Sequence, residues 1–152
     1  MQEILKDPEE IYSYSKMIQF LMVCGKKSKA KRILEDSISY AIEGATNNSS
    51  QDKKNSFLLE AILNTAPDLE IKSKRIGSTS YQIPKPITRK KKLKIGVSNL
   101  IEAAKLRKEN TMVLRLGSEL RDAYNSKGSA VKKKEDLHKL AESNKSFAHF
   151  NF

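Results

Sequence analysis

Tryptophan is absent from this chain, cysteine occurs once, at Cys24, and histidine only at His138 and His149. A lone cysteine closes no internal disulfide and has no second thiol with which to build a zinc site, so Cys24 is expected to be a small buried residue in a reducing compartment. Separated histidines make neither a metal site nor a triad. Glu135 and Asp136, being adjacent, point to different faces of a helix and form a poor acid–base pair. No catalytic residue, metal, cofactor or small-molecule substrate is expected, and the chain is read as not an enzyme. Long apolar runs are missing as well: none approaches the roughly 20 residues that span a bilayer, so no membrane is expected among its partners. The first ten residues carry Glu3, Asp7, Glu9 and Glu10 against Lys6 alone, the reverse of a basic leader. The segment Gly25-Lys26-Lys27-Ser28 falls short of a phosphate-binding loop, because position 20 holds Phe20 instead of the required glycine.

What the chain has in quantity is positive charge. Lys and Arg number 29 against 18 acidic residues, a net charge of +11 over 152 residues. Such a field attracts polyanions. Lysine dominates over arginine, which favours diffuse phosphate contact over bidentate reading of base edges and suits a folded RNA better than a DNA sequence. The length is that of one domain, 1–152, able to bury roughly 70% of its unfolded surface.

Apolar periodicity predicts a mainly α fold, a bundle of about six helices with one protruding β-hairpin. Asp7-Pro8-Glu9-Glu10 opens the first helix, which runs to about Val23 with Ile11, Tyr14, Ile18, Leu21 and Met22 on one face; Gly25 ends it. The second, about Ser28 to Glu43, turns Ala30, Leu34, Ile38, Ala41 and Ile42 inward. Gly44 to Asn55 reads as a polar loop, and a third helix carrying Leu58, Ala61, Ile62 and Thr65 stops before Pro67. The period then changes to two: Leu69, Ile71 and Ser73, then Thr79, Tyr81 and Ile83, alternate about a Gly77-Ser78 turn. This hairpin, at about 69–84 and closed by Pro84 and Pro86, has too few strands to stand alone and should lean on the helices. The fourth helix spans about Lys91 to Lys105 with Leu93, Val97, Leu100, Ile101 and Ala104 inward, Gly96 costing it about 1 kcal/mol. The fifth, about Thr111 to Asn125, buries Val113, Leu116, Leu120, Ala123 and Tyr124; the sixth, about Ala130 to Ser143, buries Leu137, Leu140 and Ala141 before an aromatic tail.

The charge is clustered on these elements. Lys26, Lys27, Lys29, Lys31 and Arg32 open the second helix, Lys72, Lys74 and Arg75 sit on the hairpin, Arg89, Lys90, Lys91, Lys92 and Lys94 open the fourth helix, and Lys132, Lys133 and Lys134 open the sixth. Any one such run reads equally well as a solvated face. Cations at the N-termini of two helices oppose the helix dipole, which points to external anions, phosphate above all. Aromatic residues do not interleave with the basic runs, apart from Tyr81, whose ring suits the core as well as a base.

Several segments, in order, resemble the bacterial-type small-subunit ribosomal protein seven family. They are Gly25-Lys26-Lys27-Ser28 with Ile33-Leu34 and Ser37; Pro67 to Pro84 with Lys72-Ser73-Lys74-Arg75-Ile76-Gly77 and Thr79-Ser80-Tyr81-Gln82-Ile83-Pro84; Glu102-Ala103-Ala104; and Ser118 to Phe150. The resemblance implies a structural constituent of the small ribosomal subunit that binds the 3′ major domain of its rRNA. It further implies a part in nucleating the head, beside the exit-site tRNA and the mRNA exit path. On that basis Lys26, Lys27, Lys29, Lys31, Arg32, Lys72, Lys74, Arg75, Gly77, Arg89, Lys90, Lys91, Lys92 and Lys94 are expected to hold rRNA. Gly77, Ser78, Tyr81, Lys132, Lys133, Lys134 and His138 are expected to approach tRNA or mRNA. Phe147, His149 and Phe150 would meet a neighbouring subunit protein, number eleven. The chain departs from its relatives in its acidic start, where they carry a basic arm, in Ser98-Asn99 in place of Arg-Trp, and in Ser78 in place of a second hairpin glycine. Lys, Ile and Asn together supply 45 residues. That bias suits an A/T-rich genome and points to the mitochondrial matrix, with a plastid or bacterial cytoplasm as the alternative. A different class of function, a free basic helical regulator of RNA or DNA, shares the same charge and would follow nucleic acid instead of the ribosome.

Overall fold

A computed structural model describes residues 8–43 and 51–150 of the chain. Helix α1 (Pro8–Leu21) begins with proline at its first position and Glu9 and Glu10 in its first turn, where the missing N–H is not needed and negative charge meets the positive helix end. The expected cap, Asp7, lies outside the described residues. The helix stops two residues before Val23, and its buried stripe is Ser13, Met17 and Ile18. Ile11 and Met22, expected inward, are 44% and 37% exposed. Cys24, expected to be buried, is exposed. The cause is local: Cys24 and Gly25 both have positive φ, +52° and +70°, so the chain leaves the helix in a left-handed turn that carries Cys24 off the apolar face.

Helix α2 (Lys27–Glu43) buries Ala30, Leu34, Ile38, Ala41 and Ile42 as its period predicts. Helix α3 (Gln51–Thr65) starts inside the stretch expected to be a loop; residues 44–50 of that loop lie outside the described part. Polar composition there does not mean exposure: Asn55 is 6% exposed, and Lys54 Nζ donates to Ser39 Oγ of α2 at 3.1 Å. Leu58, Ala61, Ile62 and Thr65 are buried.

The hairpin pairs β1 (Leu69–Ile76) with β2 (Thr79–Pro86) in antiparallel register, Leu69 opposite Pro86 and Ile76 opposite Thr79. Gly77, with φ +64°, supplies the turn. Pro84 and Pro86 lie within β2 and do not close it. Being two residues apart, they share one side of the strand, and the N–H of Ile87, on the other side, is the one that donates to Asp68 O. The prolines therefore face the open edge, where no ladder bond is lost. On this ribbon Ile83 is buried and Tyr81 half-buried, opposite Lys72 and Lys74, so the face with the lysines is the one that meets the body.

Helices α4 (Arg89–Leu106), α5 (Met112–Tyr124) and α6 (Ser129–Ser143) complete the bundle, and a short 3-10 helix, Lys145–Phe150, ends the described chain. Leu93, Val97, Leu100, Ile101, Ala104, Leu116, Leu120, Ala123 and Ala141 are buried as expected. Tyr124 and Leu140 are not, at 38% and 47% exposure, and Val113 and Leu137 are only half-buried; Tyr124 instead stacks on Phe57 with ring centroids 4.6 Å apart. Gly96 repays its low helix propensity by close packing: a Cβ there would stand 2.8 Å from Ile62 O of α3. Gly117 does the same between α5 and α2, where a Cβ would stand 2.6 Å from Tyr40 Cδ1 and 2.9 Å from Ser37 O.

Candidate nucleic-acid interface

The run that opens α4 lies against the base of the hairpin. Lys91 is bonded to Glu70 of β1, Lys92 to Asp68 just before it, and Arg89 Nη2 donates to Glu9 Oε2 of α1 at 2.8 Å. Glu70 also lies 3.5 Å from Lys72. Two of the four basic runs, the hairpin and the start of α4, are thereby joined into one surface. The cations at the positive end of α4 were expected to meet external anions; in the isolated chain three of them meet internal carboxylates, which relieve the dipole conflict locally. Lys90 and Lys94 remain exposed with no side-chain partner among the described residues.

The acids register this environment. The hydrogen bond from Lys91 holds the Glu70 carboxyl below its ordinary value, and that from Lys92 does the same for Asp68. Such exposed pairs stabilise by about 0–1 kcal/mol each, so a phosphate that arrives with better geometry can take the lysines over. At the other end of α4, Lys133 of α6 pairs with Glu102, which also accepts from Ser98 Oγ at 3.0 Å and is held low first by Lys133 and then by Ser98.

At the start of α6, too, expected contact residues bond within the chain. Lys134 Nζ donates to Asn64 O at 3.1 Å, and His138 Nε2 accepts the backbone N–H of Asp68 at 3.1 Å. Both residues thus fasten α6 to α3 and to the hairpin base, and only Lys132 of this group is exposed without a partner among the described residues. Tyr81 of the hairpin lies against Phe147, ring centroids 5.2 Å apart, so the 3-10 helix folds back onto β2 and Phe147 is half-buried within the chain. The side chains of His149 and Phe150 lie outside the described part.

A separate basic region opens α2. Lys26, Lys27 and Lys29 are exposed and unpaired among the described residues, while Lys31 and Arg32 make long contacts, 3.7 and 3.8 Å, with Glu35 and Asp36 one turn on. Lys27 and Lys31 line an open groove between α1 and α2 together with Tyr14, Ile18, Gln19 and Met22. The Tyr14 hydroxyl donates to Glu35 Oε1 at 3.1 Å; burial first, then the Glu35 charge, pushes its ionisation upward.

Residues that no charge pattern singles out hold this scaffold together. Glu119, wholly buried in α5, receives Arg107 Nε at 2.7 Å on one carboxylate oxygen and the Ala130 N–H at the start of α6 at 2.9 Å on the other. Arg107 also bonds to Asp122 and lies 3.3 Å from Glu109. Burial works to lower the Arg107 pKa, but the carboxylates of Glu119 and Asp122 override it and raise the value. Gly128, with φ +94°, passes so close that a Cβ would stand 3.0 Å from Glu119 Oε1. Arg121 Nη2 donates to Tyr40 O at 2.8 Å and closes the end of α2. A carboxylate in the middle of an amphipathic helix, followed nine residues later by glycine, is the only signal the sequence offers for this junction.

Among the described residues no group of His, Cys, Asp and Glu could hold a metal ion, and no helix is long and apolar enough to cross a membrane. Residues 1–145 match the family model described as ribosomal protein S7p/S5e. The chain belongs to the ribosomal protein S7p/S5e family. Small ribosomal subunit protein uS7 of Lactobacillus johnsonii is 40% identical to it, over 99% of this chain and 94% of the relative. The uS7 proteins of Hydrogenovibrio crunogenus and Nitrosococcus oceani are 37% and 40% identical over the same shares. Within this ribosomal S7p/S5e frame the departures at α4 have local explanations. Ser98 supports Glu102, and Asn99 Nδ2 donates to Thr65 O at 3.3 Å, closing the end of α3. The stretch from Ser118 onward includes the Glu119 junction.

Proposed function

We propose that the chain is a structural, non-catalytic protein of the small ribosomal subunit that binds the 3′ major domain of its rRNA and helps nucleate the head. The observation that carries this reading is the union, in an S7p/S5e family member, of the hairpin and the start of α4 into one basic surface through Glu70 and Asp68. Lys72, Lys74, Lys90, Lys91, Lys92 and Lys94 make that surface, Arg75 adds charge on the other face of the ribbon near its tip, and Lys26, Lys27 and Lys29 give a second point of phosphate attachment. Phosphate neutralisation by lysines, with counterion release, supplies the affinity. The hairpin tip, Gly77 and Ser78, and the exposed Lys132 face exit-site tRNA and mRNA, and the end of the chain faces the neighbouring protein number eleven. The abundance of Lys, Ile and Asn supports a mitochondrial subunit as its seat, although the relatives named above are bacterial.

The test is binding of the purified chain to a folded multi-helix fragment of the 3′ domain of small-subunit rRNA and to a duplex of equal length, across a salt series. A preference for the fragment of about 100-fold that persists as salt rises supports the reading. Equal affinities that collapse together overturn it and leave a generic polycation, the free regulator of RNA or DNA.

A further inference from the structure

Two acids stand inside the basic surface, and the fold takes trouble to place them. Glu70, its side chain 18% exposed, accepts from Lys91 of α4 and lies 3.5 Å from Lys72 on its own strand, with Lys85 as its cross-strand neighbour. Asp68 accepts from Lys92, while its own backbone N–H is held by His138 of α6 and its carbonyl by Ile87. The strands of the hairpin pair through their backbones and not through these carboxylates. The second basic region shows that the chain does not neutralise its lysines everywhere, since Lys26, Lys27 and Lys29 have no acidic partner among the described residues.

A carboxylate in this position has two effects on an approaching polyanion. It occupies the lysine head groups, and it repels any phosphate that reaches the gap between hairpin and helix without also meeting the cations around it. A uniform row of phosphates gains little there, because it runs close past the acids that each captured lysine leaves unpaired. An RNA fold that brings phosphates to Lys72, Lys91 and Lys92 at once, and keeps clear of the acids, gains all three. We infer that Asp68 and Glu70 are specificity-determining residues of the RNA surface, which withhold Lys72, Lys91 and Lys92 from indiscriminate phosphate contact and release them to an RNA whose shape fits hairpin and α4 together. The unguarded lysines of α2 supply long-range attraction that any RNA feels. The inference rests on the rRNA-binding reading above.

The experiment compares the full chain with the singles Glu70→Gln and Asp68→Asn, their double, and a control double, Glu60→Gln with Glu142→Gln, which removes the same charge from exposed positions on α3 and α6. Each is confirmed folded by its thermal melt and measured against the rRNA fragment and the equal-length duplex over a salt series. The expected result is about a 10-fold gain in duplex affinity for the Glu70/Asp68 double, a salt slope steeper by about two, and less than about a 3-fold gain for the fragment. The control should raise both affinities alike. If one of the two singles does not fold, the other still decides. An unchanged fragment-to-duplex ratio in the folded variants, or the same change in the control, overturns this inference while leaving rRNA binding intact. A wild-type chain with no preference for the fragment overturns the rRNA reading itself, and this inference with it.

Discussion

Two parts of the molecule gather arginine or lysine around carboxylates, with opposite consequences. At the α4–α5–α6 junction Glu119 is fully buried, Arg107 is mostly buried, and a backbone N–H completes the set. At the hairpin base Glu70 keeps 18% of its side chain exposed and its partners Lys72 and Lys91 keep 59% and 44%, so water reaches every member of the set. Solvent decides between them. A buried pair whose partner is removed leaves a charge with no water to receive it, whereas a surface pair that breaks is rehydrated at little cost. The junction therefore builds the fold, and the hairpin base can open its ion pairs at little cost to it.

The largest effect should follow from Glu119→Ala, which takes from Arg107 its one fully buried carboxylate partner, leaving it Asp122 and Glu109, and leaves the Ala130 N–H at the start of α6 without its acceptor. A loss of about 3–5 kcal/mol in denaturant unfolding is expected, against under about 1 kcal/mol for Glu70→Gln. Similar losses for the two would break the comparison.

Replacing Lys90, Lys91 and Lys92 with Gln should do the reverse. Stability should hold within about 1 kcal/mol, while rRNA-fragment affinity falls about 10-fold or more and its salt slope flattens by about two to three. An unchanged slope would remove these lysines from the interface.

The smallest effect should come with acid. The folded carboxyls of Asp68, Glu70 and Glu102 are held low by their lysine partners. Their contribution is thus present above the unfolded carboxylate range, about pH 4, and is lost as pH falls through the lowered folded values. A melt series from pH 6 downward in low salt should show a shallow decline in Tm below about pH 4, reduced in the Glu70→Gln/Asp68→Asn double, which keeps the Glu102 share. A double that tracks the wild type would assign the decline to other groups.

The helices legible in the sequence were those whose apolar residues had no competition. In α2, α3 and α4 every core residue expected from the 3.6-residue period is buried. In α1 the period was right but its phase was not, because large aliphatics at Ile11 and Met22 outweighed the small Ser13 that the neighbouring helices admit at 1% exposure. Polar composition hid the first turns of α3, and proline, a terminator in most contexts, hid the last residues of β2, where an open ribbon edge tolerates it. The basic runs of the candidate interface were visible as charge, but not their partners: Lys134 and His138 went to the scaffold, and Arg89, Lys91 and Lys92 to internal acids.

The sequence by itself determined the family, the helical class, the hairpin with its turn at Gly77, and a positive field suited to a polyanion. These depend on local periodicity, local backbone preference and summed charge, none of which needs a long-range contact. Only the tertiary structure decided which cations pair with acids of the same chain, which acids those are, and that Glu119 joins three segments of chain. Each of those depends on burial and on partners distant in sequence, and burial sets whether a charge belongs to the fold or to the solvent and whatever binds from it.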